Sequence, residues 1–494
     1  MTTIYTSTRG GQQHVTASQA ILQGLATDGG LFVPEHFPQV NLDFEQLKGQ
    51  SYQEIALLIM KAFYSDFSEA ELKACIKAAY DDKFDTDVIA PVKKVGTEYY
   101  LELFHGPTLA FKDMALSILP YLMTTAAKKN QSTNELVILT ATSGDTGKAA
   151  MEGFADVENT KIIVFYPKEG VSKIQEQQMR TQKGDNTFVV AVEGNFDDAQ
   201  TRVKEMFNDL ALRQTLASHQ KQFSSANSIN IGRLIPQVVY YVYAYAQLIH
   251  QQELTNGQTL DVSVPTGNFG NILAAYYAKK LGVPIGKLIC ASNQNNVLTD
   301  FFTSGTYDRN REFYVTSSPS MDILISSNLE RLLYEVSGQN TDTTSYLMEE
   351  LTTKGSYELE VALREGLSDF LVAYATDEQT QLAIKQVFDR EGYVIDPHTA
   401  VAKHALDQMT QLSDPALIVS TASPYKFPES VVRAFDEVKH VENEFGWVTA
   451  LYEETKLTVP PAVKTLFESP ILHDRTIPVD EMLPCVKEIL NINE

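Results

Sequence analysis

The chain has 494 residues, more than one hydrophobic core usually supports, so its length predicts two or three domains. Apolar residues make up 44% of it and charged residues 21%, as is typical of a globular protein. The net charge of −23 argues against binding to nucleic acid or an anionic membrane, because both partners need clustered Lys and Arg. Three widely spaced cysteines, with no CxxC pattern, indicate buried thiols in a reducing compartment rather than disulfides or a zinc site.

The first residues lack the basic and apolar regions of a signal peptide, and no apolar run is long enough to span a bilayer. We therefore expect a cytoplasmic protein, either a monomer or a homodimer. Residues 1–95 mix short extended pieces with the amphipathic helical patterns of 52–64 and 69–80, and they predict a scaffold region.

From about residue 96, strands alternate with helices. The predicted strands are 99–103, 136–142, 162–166, 188–192, 260–265, 288–292 and 417–421. The predicted helices are 113–129 (interrupted near Pro120), a helix ending near 155, 172–183, 197–209, 229–251, 270–280, 326–336 and one starting at 396–398, with a polar loop at 337–345 and a closing helical segment beyond 440. Apolar strands between helices predict an α/β fold with parallel sheets covered on both faces. We expect an N-terminal mixed region (1–95), a smaller α/β domain (96–255) and a larger one (256–494).

Lys112 is the first candidate for chemistry. It lies in the segment 104–113, among aromatic and aliphatic residues with almost no other charge. Burial lowers the pKa of a lysine from its usual value of about 10.4. A neutral lysine is a nucleophile that can form a Schiff base with a carbonyl group. The alternative is a lysine that begins a helix and extends to water.

Two loops between a strand and a helix carry glycines and polar side chains. In the first, the residues Thr142, Ser143, Gly144, Asp145 and Thr146 offer backbone N–H groups, hydroxyls and a helix N-terminus, which suit a carboxylate or a phosphate. This loop is not a nucleotide P-loop, because its glycines are too close together and Ala149 follows Lys148 where Ser or Thr is needed. A turn with an ordinary helix cap is the alternative.

The second loop, 265–271, has no lysine or acid. Its residues Gly267, Asn268, Phe269, Gly270 and Asn271 would hold a phosphate through backbone N–H groups and the helix dipole. The pattern is not GxGxxG, so it is a poor match to a dinucleotide site. A plain turn is the alternative.

Further polar residues complete the set. Thr421, at the end of the last strand, could contact a ring nitrogen, although a structural threonine would look the same. Asn227, Ser228 and Arg233 could clamp an oxyanion, because a guanidinium binds two oxygens at once; an ordinary capped helix with a surface arginine is the equal alternative. The histidines show no metal-binding spacing, and no G-x-S-x-G motif is present. A Schiff-base lysine, an uncharged phosphate loop and a strand-end hydroxyl together match pyridoxal phosphate.

The motifs also resemble a known family. The segments 104–108 and 111–113, followed by 142–147, 227–233, 265–271 and 420–424, resemble those of threonine synthases, which are pyridoxal-phosphate enzymes of the tryptophan-synthase-β type. The segments 5–10 and 24–34 resemble the N-terminal region of the longer branch of that family. The motifs occur in family order over most of the chain.

The resemblance implies fold type II, in which the cofactor lies between two parallel-sheet α/β domains. It implies that Lys112 forms the Schiff base, and that Thr421 faces the pyridine nitrogen. It implies three binding sets: Gly267, Asn268, Phe269, Gly270 and Asn271 for the cofactor phosphate; Thr142, Ser143, Gly144, Asp145 and Thr146 for the substrate carboxylate; and Asn227, Ser228 and Arg233 for the substrate phosphate.

The activity implied by the resemblance is conversion of O-phospho-L-homoserine and water to L-threonine and phosphate, with Lys112 moving most of the protons. Two alternatives remain open at the level of sequence. One is a dehydratase or phospho-lyase that uses the same cofactor and releases a 2-oxo acid and ammonia. The other is a binding protein that retains the fold without activity.

Overall fold

The computed structural model describes residues 2–142, 144–169, 171, 173–410, 412, 415–443, 445–466 and 468–492. Ser143, a predicted substrate ligand, lies outside the described residues. Cys75, Cys290 and Cys485 are buried thiols, as predicted. No helix in the described ranges is long and apolar enough to cross a membrane.

The N-terminal region combines a small antiparallel sheet, in the order β2-β1-β3, with helices. Its elements are β1 (Ile4–Ser7), β2 (Val15–Thr16), α1 (Ala17–Gln23), β3 (Phe32–Pro34), α2 (Phe44–Leu47), α3 (Tyr52–Phe63) and α4 (Glu69–Ala79). The helices predicted at 52–64 and 69–80 are confirmed. Each begins with a capping box, Ser51 with Glu54 and Ser68 with Glu71, which satisfies N–H groups that the helix itself cannot.

The rest of the chain alternates strands with helices. Its strands are β4 (Val92–Val95), β5 (Glu98–Glu102), β6 (Glu135–Ala141), β7 (Thr160–Pro167), β8 (Thr187–Glu193), β9 (Lys221–Ser224), β10 (Leu260–Pro265), β11 (Ile285–Ser292), β12 (Thr306–Asp308), β13 (Ser356–Glu358), β14 (Phe370–Tyr374), β15 (Ala416–Ser420) and β16 (Thr476–Pro478). Its helices are α5 (Asp113–Leu116), α6 (Leu119–Lys129), α7 (Asp145–Phe154), α8 (Lys173–Arg180), α9 (Phe196–Asn208), α10 (Leu210–Ser218), α11 (Ile231–His250), α12 (Gly270–Leu281), α13 (Val297–Ser304), α14 (Leu329–Val336), α15 (Thr341–Thr353), α16 (Val361–Arg364), α17 (Asp377–Glu391), α18 (Pro397–Asp407), α19 (Pro428–Phe435), α20 (Gly446–Thr455), α21 (Pro461–Leu466) and α22 (Met482–Ile489).

These strands form two main sheets. Within the described ranges, one has the order β16-β8-β7-β6-β9 and is parallel throughout. The other has the order β14-β11-β10-β15-β5-β4 and is parallel except for β4 at its edge. Strands such as β7 and β10 are buried along nearly their whole length, because helices cover both faces.

Sheet membership departs from the predicted domain division at two strands. β5 belongs by sequence to the predicted 96–255 domain, but it pairs with β15 in the other sheet. β16 lies in the predicted 256–494 domain, but it pairs with β8. The chain therefore crosses between the two sheets more often than a simple division at residues 95 and 255 predicts. For the remaining strands the division stays a proposal.

The polar loop predicted at 337–345 is wrong, because α15 begins inside it. Asn340 caps this helix by accepting a hydrogen bond from the Thr343 N–H. The helix buries Thr344, Leu347 and Met348, so tertiary packing outweighs the weak helix propensity of its threonine-rich start. Sequence reasoning also missed β4, β9 and α10.

The helix predicted at 113–129 is interrupted, as expected. It divides into α5 and α6, and Pro120 stands in the first turn of α6, where its missing N–H leaves no bond unmade. α5 begins directly after Lys112 and packs against α7, which begins at Asp145. The contact between these two helices therefore sets where Lys112 lies relative to Asp145.

Gly153 permits the close approach of α7 to α5. A Cβ atom there would lie 2.1 Å from the carbonyl oxygen of Leu116, which is backbone and cannot rotate away. We expect Gly153→Ala to lower the free energy of unfolding by about 1–3 kcal/mol, measured by urea denaturation. Gly194→Ala is the control, because its new methyl group would instead meet the Val479 side chain. A smaller loss for Gly153→Ala than for Gly194→Ala would contradict this account.

Candidate active site

Lys112 is a buried lysine rather than one that extends to water. Its side chain is 11% exposed, and its Nζ lies 5.2 Å from the centre of the Phe111 ring. Nζ donates a hydrogen bond to Ser320 Oγ at 3.3 Å and lies 3.6 Å from Asp145 Oδ2. Burial lowers the pKa of Lys112; the Asp145 charge opposes that shift, and the positive charges of Lys426 and Arg233 add to it.

The first predicted loop places Asp145 at the start of α7. The Thr142 hydroxyl accepts hydrogen bonds from the N–H groups of Gly144 and Gly147, both at 3.0 Å, so it caps the helix from inside the loop. Gly144 has a φ of 143°, a backbone conformation that favours glycine, and the Gln175 amide packs where a Cβ would stand. Thr146 follows, half-buried, in the first turn of the helix.

In the second predicted loop, donors from the segment 326–328 bind two of the carbonyl oxygens. The Gly267 carbonyl accepts from Ser326 Oγ at 2.6 Å, and the Asn268 carbonyl accepts from the Asn328 N–H and side-chain amide. Phe269 has a positive φ of 63° immediately before α12. The N–H groups in the first turn of a helix have no intrahelical acceptor, so the start of α12 at Gly270 can supply backbone donors to an anion.

Asn271 adds a side-chain donor to the same loop. The hydroxyls of Tyr240 and Tyr241 both contact Asn271 Oδ1, at 2.7 and 2.5 Å. Asn271 Nδ2 is buried and has no partner among the described residues. A Cβ on Gly267 would lie 2.9 Å from the Ser320 carbonyl, so the loop packs directly on the segment that contacts Lys112.

Thr421 is held beside the Lys112 segment. The Phe111 N–H donates to the Thr421 carbonyl at 2.8 Å, and Ala110 and Ala422 form an isolated antiparallel bridge. Thr421 is buried at the carboxyl end of β15, next to the loop that follows β5. Lys112, Gly267 and Thr421 therefore follow three neighbouring strands of one sheet, at the edge where ligands of parallel sheets bind. Asp145 follows β6 of the other sheet and reaches the same place, 3.6 Å from Lys112.

Arg233 is buried rather than on the surface. Its Nη1 donates to the Ala226 carbonyl at 3.0 Å, while its Nε is buried without a partner among the described residues. Burial lowers its pKa to about 10, so it remains a cation at neutral pH. Asn227 is exposed, and its Oδ1 accepts hydrogen bonds from Ser228 Oγ and the Ile229 N–H; these contacts are local to the loop.

Sequence reasoning missed three residues that contact Asp145: Gln175, Ser320 and Lys426. Ser320 Oγ lies 3.0 Å from Asp145 Oδ2, and Lys426 Nζ lies 3.1 Å from Asp145 Oδ1. Ser320 comes from a loop between two sheet strands, and Lys426 from the turn after Thr421. No local pattern marks either position, although Lys426 stands between two aromatic residues, as Lys112 follows one.

His398 was interpreted only as part of a helix start. Asp396 caps α18, which begins where predicted, by accepting hydrogen bonds from the N–H groups of His398 and Thr399. His398 Nδ1 also lies 2.7 Å from Asp396 Oδ2, and its Nε2 accepts from the Ser320 N–H at 3.2 Å. The pair therefore fixes the backbone of the loop that carries Ser320.

His105, in the Lys112 segment, bridges two carboxylates. Burial opposes its protonation, but hydrogen bonds to Asp85 and Glu102 outweigh burial and raise the pKa of His105 to about 9. A raised pKa stabilises the fold fully below the unfolded value of about 6.5 and stops doing so as pH rises through about 9.

We expect His105→Gln to flatten the fall in unfolding free energy between pH 6.5 and 9.5, measured by urea denaturation. The exposed His219→Gln variant should keep the wild-type slope; equal slopes in all three chains would contradict the assignment.

Comparisons with known proteins agree with this geometry. Residues 4–80 match the family model for the threonine synthase N terminus, and residues 88–423 match the model for pyridoxal-phosphate dependent enzymes. A threonine synthase of Pseudomonas aeruginosa is 39% identical over 87% of this chain and 90% of its own length. The chain belongs to the threonine synthase family.

Other relatives bear on how far the likeness extends. The crystal structure of PLP-bound threonine synthase from Brucella melitensis is 34% identical, with a TM-score of 0.88 over 99% of both chains. The threonine synthase-like 1 protein of Pongo abelii is 40% identical over 93% of this chain, which spans only 63% of that relative's length. These matches confirm the predicted fold type II architecture and place the chain among the pyridoxal-phosphate dependent enzymes.

The residues of the site fit pyridoxal phosphate. Asn271 Nδ2 is a buried donor with no acceptor in the part of the chain that the structure describes, and such a group is costly unless an anion or another acceptor reaches it. The donors of the 267–271 loop carry no charge of their own, which suits a phosphate bound by a helix N-terminus. Lys112 lies close by, buried, with its amine available to an aldehyde.

Proposed function

We propose that this chain converts O-phospho-L-homoserine and water to L-threonine and phosphate. In balance, the C–O bond at the γ carbon breaks and phosphate leaves, hydroxide from water bonds to the β carbon, and one hydrogen passes from the β to the γ carbon. The observation that carries the proposal is a buried amine, Lys112, in one site with a buried guanidinium, Arg233, whose Nε has no partner in the described ranges.

The chain's own residues would divide the work as follows. Gly267, Asn268, Phe269, Gly270 and Asn271 would hold the cofactor phosphate, and Thr421 would face the ring nitrogen. When bound, pyridoxal phosphate supplies an electron-withdrawing ring that stabilises negative charge on the carbon beside the substrate amine. A hydroxyl at Thr421, unlike a carboxylate, would leave that nitrogen mostly unprotonated and so moderate the withdrawal.

Lys112 would take up and return protons at the α carbon. Burial, which lowers its pKa, raises the neutral fraction of its amine at physiological pH, so it can accept a proton. The Thr142–Thr146 loop and the N-terminus of α7 would hold the substrate carboxylate. Arg233, with Asn227 and Ser228, would hold the substrate phosphate, because a guanidinium binds two phosphate oxygens at once.

The proposal is tested by product analysis. The cofactor-loaded chain is supplied with O-phospho-L-homoserine, and phosphate, threonine, ammonia and 2-oxobutanoate are measured together. We expect threonine and phosphate in equal amounts. Phosphate matched by ammonia and 2-oxobutanoate would instead support the phospho-lyase alternative, and no phosphate release would support a binding protein. The cytoplasmic location and the monomer or homodimer state stay predictions, and size-exclusion chromatography with light scattering measures the latter.

A further inference from the structure

A second lysine, Lys426, is buried beside Lys112. Its side chain is 0% exposed, and it lies in the short turn Pro424–Lys426 that follows Thr421. Its Nζ lies 3.1 Å from Asp145 Oδ1 and donates to the Thr108 carbonyl at 2.8 Å. Lys426 therefore ties together the Lys112 segment, the start of α7 and the strand end at Thr421.

Asp145 is shared between the two lysines, one on each oxygen. Oδ1 takes Lys426 at 3.1 Å and the Gln175 amide at 2.9 Å. Oδ2 takes Ser320 Oγ at 3.0 Å, and the Lys112 Nζ lies farther away, at 3.6 Å. Lys426 thus has the closer ion pair, while Lys112 reaches the carboxylate mainly through the Ser320 hydroxyl.

One carboxylate cannot fully compensate two buried ammonium groups, and an uncompensated buried charge is costly. Lys426 has the closer contact with Asp145, and the buried carboxyl of Asp113 also acts on it. Lys112 has a hydroxyl neighbour that can donate to a neutral amine as well as accept from a charged one. Lys112 is therefore the lysine that can lose its proton at low cost.

The other charges around Lys112 act in the same direction. The titratable and charged groups that face Lys112 are Asp145 on α7, Arg233 on α11, Lys426 in its turn, and His398 on α18 through the Ser320 N–H. Asp113 at the start of α5 is a further buried carboxyl, and it acts on Lys426. Burial works against ionisation of Asp145, but Lys426 and then Lys112 hold its pKa well below the usual range. Asp145 is thus a carboxylate at working pH, with Lys426 as its first counter-ion.

We propose that Lys426 is a positioning residue that occupies Asp145 and thereby keeps Lys112 from being held as a paired ammonium. This inference rests on the proposed role of Lys112 as the reactive amine. It assigns Lys426 no contact with substrate. Removing the Lys426 charge should therefore leave Asp145 paired with Lys112, and this pairing should make Lys112 harder to deprotonate.

The test measures the protonation of Lys112 directly in the full-length chain freed of cofactor. The chain is labelled with trace acetic anhydride between pH 6 and 11, and acetylation of the Lys112 peptide is quantified by mass spectrometry against the exposed Lys77. We expect Lys426→Met to move the Lys112 titration upward by about one pH unit or more, because one opposite charge at this range shifts a pKa by about 1–3 units. Lys426→Arg should titrate like the wild type.

Two further variants separate charge from structure. Asp145→Asn should move the Lys112 titration below the wild-type position, and the double variant Lys426→Met, Asp145→Asn should titrate lower than Lys426→Met alone. If Lys426→Met fails to fold, as judged by circular dichroism and urea denaturation, Lys426→Gln replaces it, because the glutamine amide removes the charge but keeps a donor for the Thr108 carbonyl; the same upward shift of the Lys112 titration is expected, and its absence overturns the inference. An unchanged or lowered Lys112 titration in Lys426→Met, or a raised one in Asp145→Asn, overturns the inference. Because labelling needs no turnover, a chain that makes no threonine would leave this result readable.

Discussion

Lys112→Ala is expected to lower turnover of O-phospho-L-homoserine by about 10³-fold or more, since it removes both the nucleophile and the proton carrier. The variant should also lack the yellow absorbance of pyridoxal phosphate bound to the chain, and borohydride should fix no cofactor at this position. Loss of one buried amine should leave the fold intact, because Asp145 keeps Lys426 as its counter-ion. Initial rates, the absorbance spectrum and a borohydride-treated peptide map measure these effects.

The matched control for this prediction is Lys128→Ala. Lys128 is an exposed lysine in the last turn of α6, the next long helix after Lys112. It should keep wild-type turnover, absorbance and borohydride labelling at the Lys112 peptide. Normal turnover by Lys112→Ala, or cofactor fixed to a different lysine in the wild type, would refute the assignment of Lys112.

Local patterns in the sequence predicted the elements that frame the site. The apolar runs of β6, β7 and β10 have the length and flanking helices of parallel strands, and those two local features located them. Glycines mark the two loops, because Gly144 adopts a φ of 143° and Gly267 permits the close approach of the Ser320 carbonyl. The strands and the glycine loops depend on residues that are close together in the sequence, so they can be predicted from a single sequence.

Contacts between distant segments could not be predicted in the same way. The pairing of β16 with β8 joins residues nearly 300 positions apart, and no local signal selects that partner. Ser320 and Lys426 contact Asp145 only because three chain segments meet at the sheet ends. The sequence also left Arg233 undecided between surface and interior, since a helix start looks alike in both places.

Arg233→Met is expected to lower kcat/KM for O-phospho-L-homoserine by about 10²-fold or more. Removing one partner of a buried, hydrogen-bonded charge pair costs about 2–5 kcal/mol, and each ~1.4 kcal/mol is tenfold. KM for the substrate should rise more than kcat falls, and inhibition by inorganic phosphate should weaken, because Arg233 is proposed to bind the phosphate group. Binding of pyridoxal phosphate, measured by absorbance titration, should stay near that of the wild type.

Arg233→Lys refines this prediction, because lysine keeps the charge but loses the fork of donors that matches two phosphate oxygens. It should recover only part of the loss. Arg433→Met is the control: that arginine pairs with Glu429 and lies over the Trp447 ring, and its removal should leave both KM and phosphate inhibition unchanged. Arg233 also donates to the Ala226 carbonyl, so the alternative is a purely structural role. That role would lower the urea midpoint of Arg233→Met while KM and phosphate inhibition stayed at wild-type values, and this outcome would remove Arg233 from the substrate site.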